Sequence, residues 1–340
     1  MLTGAAMARA GFNRKTAFAT TTMVLAAEAA DVDVLWEFKG SIAALQHHRG
    51  ITHSFVGAPF IAAAVLLLVY GLHRIRGNVR RKGKPRLRPR WGFLYLCALI
   101  AALSHLWLDY TTAYGIRLFE PFNFRWYSWD LVYIVEPLML VALIAGLTLP
   151  SLFGMINQEI GARNTGAAGR GWAVFALVCL ALIWGVRGYE HHRAVTAMNS
   201  FLYHEAVPVR AAAYPYVVNP FRWHGVVETA NFFETVPVNS LAPDIDLTSG
   251  IVFYKPIETP AMKAAKRSYF GRVYLDWAAF PFLRQQTMIA GDNLVNFQDL
   301  RYTYPGNERS PLSGFVLLSP DLRVKDEGMN SSRTRAGQSR

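Results

Sequence analysis

Residues Ser54–Leu72 read SFVGAPFIAAAVLLLVYGL, nineteen residues without a charged side chain. A helix of that length rises about 28 Å, close to the roughly 30 Å hydrocarbon core of a bilayer. Three further runs have comparable length and character: Gly92–Tyr110, Leu131–Leu149 and Trp172–Tyr189. Thr16–Ala30 is weaker, rich in Ala and Thr with Glu28 near its end. It reads as a fifth span, the preferred reading, or as a helix packed against the others. The first part of the chain is therefore expected to be an integral membrane α-helical bundle of about four to five transmembrane helices. Whole-chain composition decides less: 340 residues, 52% hydrophobic and a mean hydropathy of +0.18 are also within reach of a soluble chain.

Charge orients the bundle. The net charge is +12, and nine Lys/Arg fall between Arg74 and Arg90. A basic block between apolar runs reports the cytoplasmic side before it reports nucleic acid, and no nucleic-acid partner is expected. Arg9, Arg14 and Lys15 point the same way, as do Arg163 and Arg170 against Glu159. Five spans with the N-terminus inside satisfy all three. Asp31–His53, Thr111–Asp130 and everything after Tyr189 then lie outside, in a cell (inner) membrane protein bathed by membrane lipids. Cys97 and Cys179 each sit in an apolar run and read as packing, without a disulfide framework. No cleavable signal peptide is evident at the start.

From Glu190 the character changes, and Gly, Pro, Asn and Asp punctuate short runs rich in Val, Tyr and Phe. Ile251–Tyr254, Arg272–Trp277, Leu294–Tyr304 and Gly314–Leu318 are expected as strands. The organisation expected is a transmembrane domain at 1–189, a mainly β extracytoplasmic domain at 190–326 and a disordered polar tail at 327–340.

Chemistry concentrates in three places. His48 and His53 lie in HRGITHS, just before the first strong run, downstream of Asp31-Val32-Asp33. His105 and Asp109 are four residues apart, hence on one helix face and able to reach one ion. Asp130 stands at the start of the third strong run, where a helix cap is the plain alternative. The charge-derived orientation puts all of them at the outer face, and ionisable groups near spans are costly unless they serve a partner or cavity. Neutral imidazole with carboxylate suits zinc, with manganese as the alternative. Arg49, Arg117 and Arg125 fall on the same side and suit a phosphate or carboxylate substrate.

HRGITHS and SHLWLDYTTAYGIRLFEPF resemble the YdjM/YbcI-type family of membrane-bound metal-dependent hydrolases. The resemblance covers Leu2–Pro150, and LTGAAMARAGFNRKT resembles the family's opening segment. NPFRWHGVVET, at Asn219–Thr229, resembles a C-terminal motif of some members. The resemblance implies hydrolysis at a site formed by His48, His53, His105 and Asp109 with the acidic pair Asp31 and Asp33. Two departures stand out. Glu28-Ala29-Ala30 replaces the family's Asn-x-Pro. The Thr-His that precedes its opening segment would fall before Met1, so either the true start lies upstream or one ligand is missing. The order of His and Asp residues also looks like that of zinc-dependent phospholipase C.

The reading that follows is a membrane-bound metal-dependent hydrolase open to the outer face, acting on a phosphoester or lipid-linked substrate. His48, His53, His105 and Asp109 are the expected ligands. Asp33 is a further ligand or the base that takes a proton from water, and Asp31 orients it. Asp130 supports the ligands from behind. His224, beside Trp223, either approaches from the β domain as part of a lid or, in the preferred reading, is solvated while Trp223 packs in that domain's own core. The rival reading is a non-enzymatic membrane anchor that presents a β binding domain and carries a structural metal.

Overall fold

The computed structural model describes residues 1–75, 87–159, 168–242, 245–289, 291–304 and 310–330. Most of the basic block 74–90 and the tail from residue 331 lie outside the described residues. The chain forms two compact units, one of Met1–Asp33 with Arg49–Arg187, the other of Val34–His48 with Gly188–Arg340.

In the first unit α1 (Leu2–Ala10) and α2 (Ala19–Ala26) form a hairpin. In the second, α3 is Ser41–His47. The long helices are α4 (Gly57–Ile75), α5 (Trp91–Tyr110), α6 (Pro137–Glu159) and α7 (Ala168–Ser200), the last beginning in the first unit and ending in the second. Among the described residues these four helices are long and apolar enough to cross a membrane.

The expected fifth span at Thr16–Ala30 is not a single long helix. Phe18, at φ 65, interrupts the chain, and α2 has eight residues, about 12 Å, too few to cross a bilayer by itself. The segment still runs along α5. Thr16 Oγ1 accepts from Arg90 N at 2.8 Å at one end of α5, while Asp31 lies 3.4 Å from His105 near the other. Small residues let α1 and α2 approach closely: a Cβ on Gly4 would meet Met23 O at 2.4 Å. The amine of Met1 pairs with Glu28, so α1 starts at the Asp31 end. From there the chain runs toward the Arg90 end, where Lys15 lies over the Phe93 ring. Buried Ala26, Ala62, Ala98 and Ala101 form the seam of α2, α4 and α5.

The third strong run also starts later than expected. Leu131 and Val132 both donate to Thr111 O in an irregular segment, and α6 begins at Pro137, a residue suited to the first helical turn. Asp130, at φ 57, is therefore not its cap.

The second unit is mainly β, as expected. Strands β1 (Arg210–Pro215), β2 (Arg222–Glu228), β3 (Phe232–Asn239) and β4 (Ile251–Tyr254) form one antiparallel sheet in chain order. Helices α8 (Pro260–Arg267) and α9 (Tyr269–Trp277) follow. Then β5 (Pro281–Thr287), β6 (Asn293–Asp299), β7 (Ser313–Leu318) and β8 (Val324–Met329) form the second sheet, also in order. Phe253 meets Phe282 edge-on at 5.3 Å, and Tyr304 Oη donates to Pro215 O, joining the two. Tyr269 Oη donates to Gln46 Oε1 at 2.5 Å, tying α9 to α3.

Arg272–Trp277, expected as a strand, belongs to α9. Its buried residues Phe270, Val273, Tyr274 and Trp277 follow the i, i+3, i+4, i+7 spacing of a helix face, and Ser268 caps it by accepting from Gly271 N. Ordered strand extends through Met329, past the expected start of the tail at 327.

Candidate metal centre

The turn before α4 is built by its small and hydroxylated residues. Ser54 Oγ donates to Ile51 O at 2.8 Å and accepts from Gly57 N at 2.9 Å. Gly57 is required there, because a Cβ would lie 2.0 Å from Ile51 O. This turn fixes His53, which is fully buried. From α5, His105 and Asp109 reach the same point, and Asp31 arrives from the 3-10 segment Ala29–Lys39.

One donor atom from each of Asp31, His53, His105 and Asp109 lies within 4.8 Å of the others. His53 Nε2 is 3.2 Å from His105 Nε2, 3.3 Å from Asp31 Oδ1 and 3.3 Å from Asp109 Oδ2. His105 Nε2 is 3.4 Å from both carboxylate oxygens. Two Nε2 atoms carry at most two protons between them, so hydrogen bonds cannot account for all five close approaches. Asp109 Oδ2 is buried with no hydrogen-bond partner. A tetrahedral zinc ion with bonds of about 2.0–2.1 Å sets its ligand atoms roughly 3.3 Å apart. The donors present fit such an ion.

The surroundings orient these donors. His53 Nδ1, on the opposite side of the ring, faces Asp33 Oδ2 at 3.2 Å, the carboxylate–imidazole arrangement that fixes a metal-ligating tautomer. Asp33 Oδ2 also accepts from Arg49 N at 2.7 Å. Arg49 is itself buried, and its NH2 donates to Asp109 Oδ1 at 2.9 Å. His53 and Asp109 are buried and the His105 side chain is 12% exposed, while the Asp31 side chain is 46% exposed and forms the open side. Burial alone would raise the Asp31 carboxyl, but hydrogen bonds to His105 and His53 outweigh it and hold it well below the usual carboxylate range. Burial would lower His53, but Asp31 and Asp33 raise it above its ordinary value.

Several expected roles change. Asp31, rather than Asp33, joins the donor set, because residues two apart on a 3-10 helix point in different directions. Asp33 stands behind the His53 ring, away from the converging atoms. His48 is not among the four: it ends α3 in the second unit, and the chain turns away at Arg49, φ 54, before His53. Arg49 is committed to Asp109 and Asp33 instead of facing solvent. Arg117 lies over the Trp126 ring at 4.6 Å, and Arg125 is exposed. Asp130 is half-buried between Trp129 and Leu131, whose N–H groups donate to Tyr110 O and Thr111 O just beyond Asp109.

His224 presents nothing outside its own unit. It is fully buried, its Nε2–H donates to Leu300 O at 3.0 Å and its ring stacks on Tyr304. Burial, opposed by that bond, lowers it to about 4. In place of the solvated His224 expected, β2 is an inner strand buried on both faces, so Trp223 and His224 both point into the core of their own unit.

The model of the YdjM inner membrane protein family matches residues 1–194, which include every residue of the cluster. The chain is also similar to the uncharacterized protein YfhP of Bacillus subtilis (strain 168), 26% identical over 304 residues, 88% of this chain and 81% of that protein. A match of that length necessarily runs past residue 194, into the β unit. No solved structure matches.

Proposed function

The chain belongs to the YdjM inner membrane protein family, and on that premise we propose that it is a membrane-bound metal-dependent hydrolase. Its metal, zinc in the first instance, is held by His53, His105 and Asp109, with Asp31 on the open side. The observation that carries this reading is the convergence of four donor atoms with too few protons to bond one another.

When bound, such an ion polarises a substrate oxygen and lowers the pKa of a bound water. The residues do the rest. Asp33 holds His53 in the tautomer that offers Nε2. Arg49 keeps Asp109 charged and aimed. Asp31, the exposed carboxylate, accepts the proton that the attacking water releases. The site lies at the end of α5 remote from Arg90, where the basic block begins its return to the bundle. With the block cytoplasmic, the site faces the outer side of the membrane.

The substrate proposed is a phosphoester, lipid-linked. Support comes from Arg125, exposed, and from the exposed rings of Phe55, Phe119, Phe122 and Phe124 in the same unit. Phe55 N donates to Leu118 O, which seats this aromatic loop two residues from His53.

One observation favours the rival reading. Four protein donors close a tetrahedral zinc site, as in structural centres. Such centres are rich in cysteine, and neither Cys97 nor Cys179 belongs to this set. Asp31→Asn separates the two. In the hydrolase it leaves most of the metal in place and removes hydrolysis of a phosphodiester reporter or phospholipid vesicles. In a structural site it depletes metal as His105→Ala does. Wild-type protein loaded with zinc that cleaves no phosphoester at all would count against the substrate class.

A further inference from the structure

Asp109 meets the cluster with one oxygen and Arg49 with the other. Oδ2 lies 3.3 Å from His53 Nε2 and 3.4 Å from His105 Nε2, while Oδ1 accepts from Arg49 at 2.9 Å. The guanidinium is fixed from several directions. Its NH1 donates to Thr112 Oγ1 at 2.9 Å, Thr112 Oγ1 donates in turn to Asp109 O at 2.8 Å, and the plane sits over the Tyr114 ring at 5.0 Å. The backbone of the same residue is fixed too: Arg49 N donates to Asp33 Oδ2 and Arg49 O accepts from Arg117 N. A non-glycine residue in the left-handed region is strained, and here the surrounding bonds hold it there.

A carboxylate beside a metal can bind through one oxygen or both. The geometry points to Arg49 as the positioning residue that makes Asp109 a one-oxygen donor and so sets the coordination number of the centre. This rests on the metal reading above and adds to it a role that the sequence does not disclose. Arginine suits the task because its planar fork engages Asp109 and Thr112 at once, and lysine offers a single point charge. The charges also balance. Asp31, Asp33 and Asp109 carry three negative charges, and Arg49 with a divalent ion would carry three positive ones, so the assembly would have no net charge with such an ion bound. Arg49 is 7% exposed, which leaves it no surface for a substrate.

The test uses the full chain in detergent, with cobalt(II) as a spectroscopic stand-in for zinc. Visible d–d absorption of cobalt weakens as its coordination number rises. Arg49→Met frees Asp109 Oδ1, and the bands should drop several-fold relative to wild type while cobalt remains bound, more weakly. Arg49→Lys should recover part of the intensity. Thr112→Val, which leaves the charge but removes one anchor of the guanidinium, should give an intermediate spectrum and serves if Arg49→Met does not fold. Bound cobalt with a wild-type spectrum in Arg49→Met, or in Thr112→Val where that is the variant read, overturns this inference alone. A wild-type chain that takes up no cobalt overturns the metal reading and this inference with it.

Discussion

Two buried polar clusters, one in each unit, look alike in composition and differ in their hydrogen bonds. In the β unit, Asp299 accepts from the backbone of Ala279, Phe280 and Arg301 and from the Arg301 guanidinium, which also reaches Trp277 O. Each of these contacts pairs a donor with an acceptor. In the membrane unit, His53, His105, Asp31 and Asp109 make five close approaches on two imidazole Nε2 atoms, and the buried Asp109 Oδ2 makes no well-formed hydrogen bond, its neighbours being those two nitrogens at 3.3 and 3.4 Å. The first pattern is what a core polar network needs to be stable; the second is one that an ion at its centre would satisfy. Burial alone does not distinguish a site from a scaffold. Counting donors against acceptors does.

The comparison breaks first at the ligands. His53→Ala and His105→Ala should each abolish stoichiometric zinc in the purified full chain, measured by elemental analysis, while Arg222→Ala on the exposed end of β2 leaves it unchanged. In the β unit the equivalent loss is one of folding. Asp299→Ala strands the buried Arg301 charge and should cost about 3–5 kcal/mol, seen as a lower unfolding midpoint with metal content preserved. The reverse pattern, metal lost and stability kept, would erase the distinction between the clusters.

Smaller effects sharpen it. Asp33→Asn should weaken zinc binding roughly 10–100-fold in a chelator competition, because it loosens the His53 tautomer without removing a donor. An unchanged affinity would make Asp33 a bystander. His224 gives the last prediction. Its value in the fold is about 4, below the ordinary 6.5, so the unfolded chain binds the proton first as pH falls. Stability from this group is complete above about pH 6.5 and is lost between there and about pH 4, up to roughly 3 kcal/mol. Glu234, raised by burial against its contact with His204, changes stability with pH in the opposite sense. The readout is therefore the difference between wild type and His224→Gln, followed by hydrogen exchange in β2. A difference that does not change with pH would show that His224 is not held neutral by burial.

Much of this was legible in the residues. Long uncharged runs announce spans because the bilayer tolerates little else, and α4 and α5 fall within a few residues of their expected bounds. His105 and Asp109 were legible because helical spacing is rigid. Which of Asp31 and Asp33 faces the cluster is not legible, because their order of approach depends on a 3-10 segment that composition does not announce. Arg49 looked like a surface cation. Its burial depends on Asp109 and Thr112, some sixty residues away, and no local pattern encodes that. In α9 the helical spacing of Phe270, Val273, Tyr274 and Trp277 was present, but the β-branched and aromatic composition outweighed it in the reading. His224 shows the converse: a motif dense in aromatic and basic groups marked a strand buried on both faces rather than a site.

Zinc K-edge X-ray absorption on the purified, zinc-loaded full chain asks whether the four residues surround a metal ion. One zinc per chain is expected, in a shell of nitrogen and oxygen only, with scattering from two imidazoles that falls to one in His105→Gln loaded at excess zinc. A sulfur neighbour, or a shell indifferent to that substitution, would place the metal elsewhere and contradict that expectation.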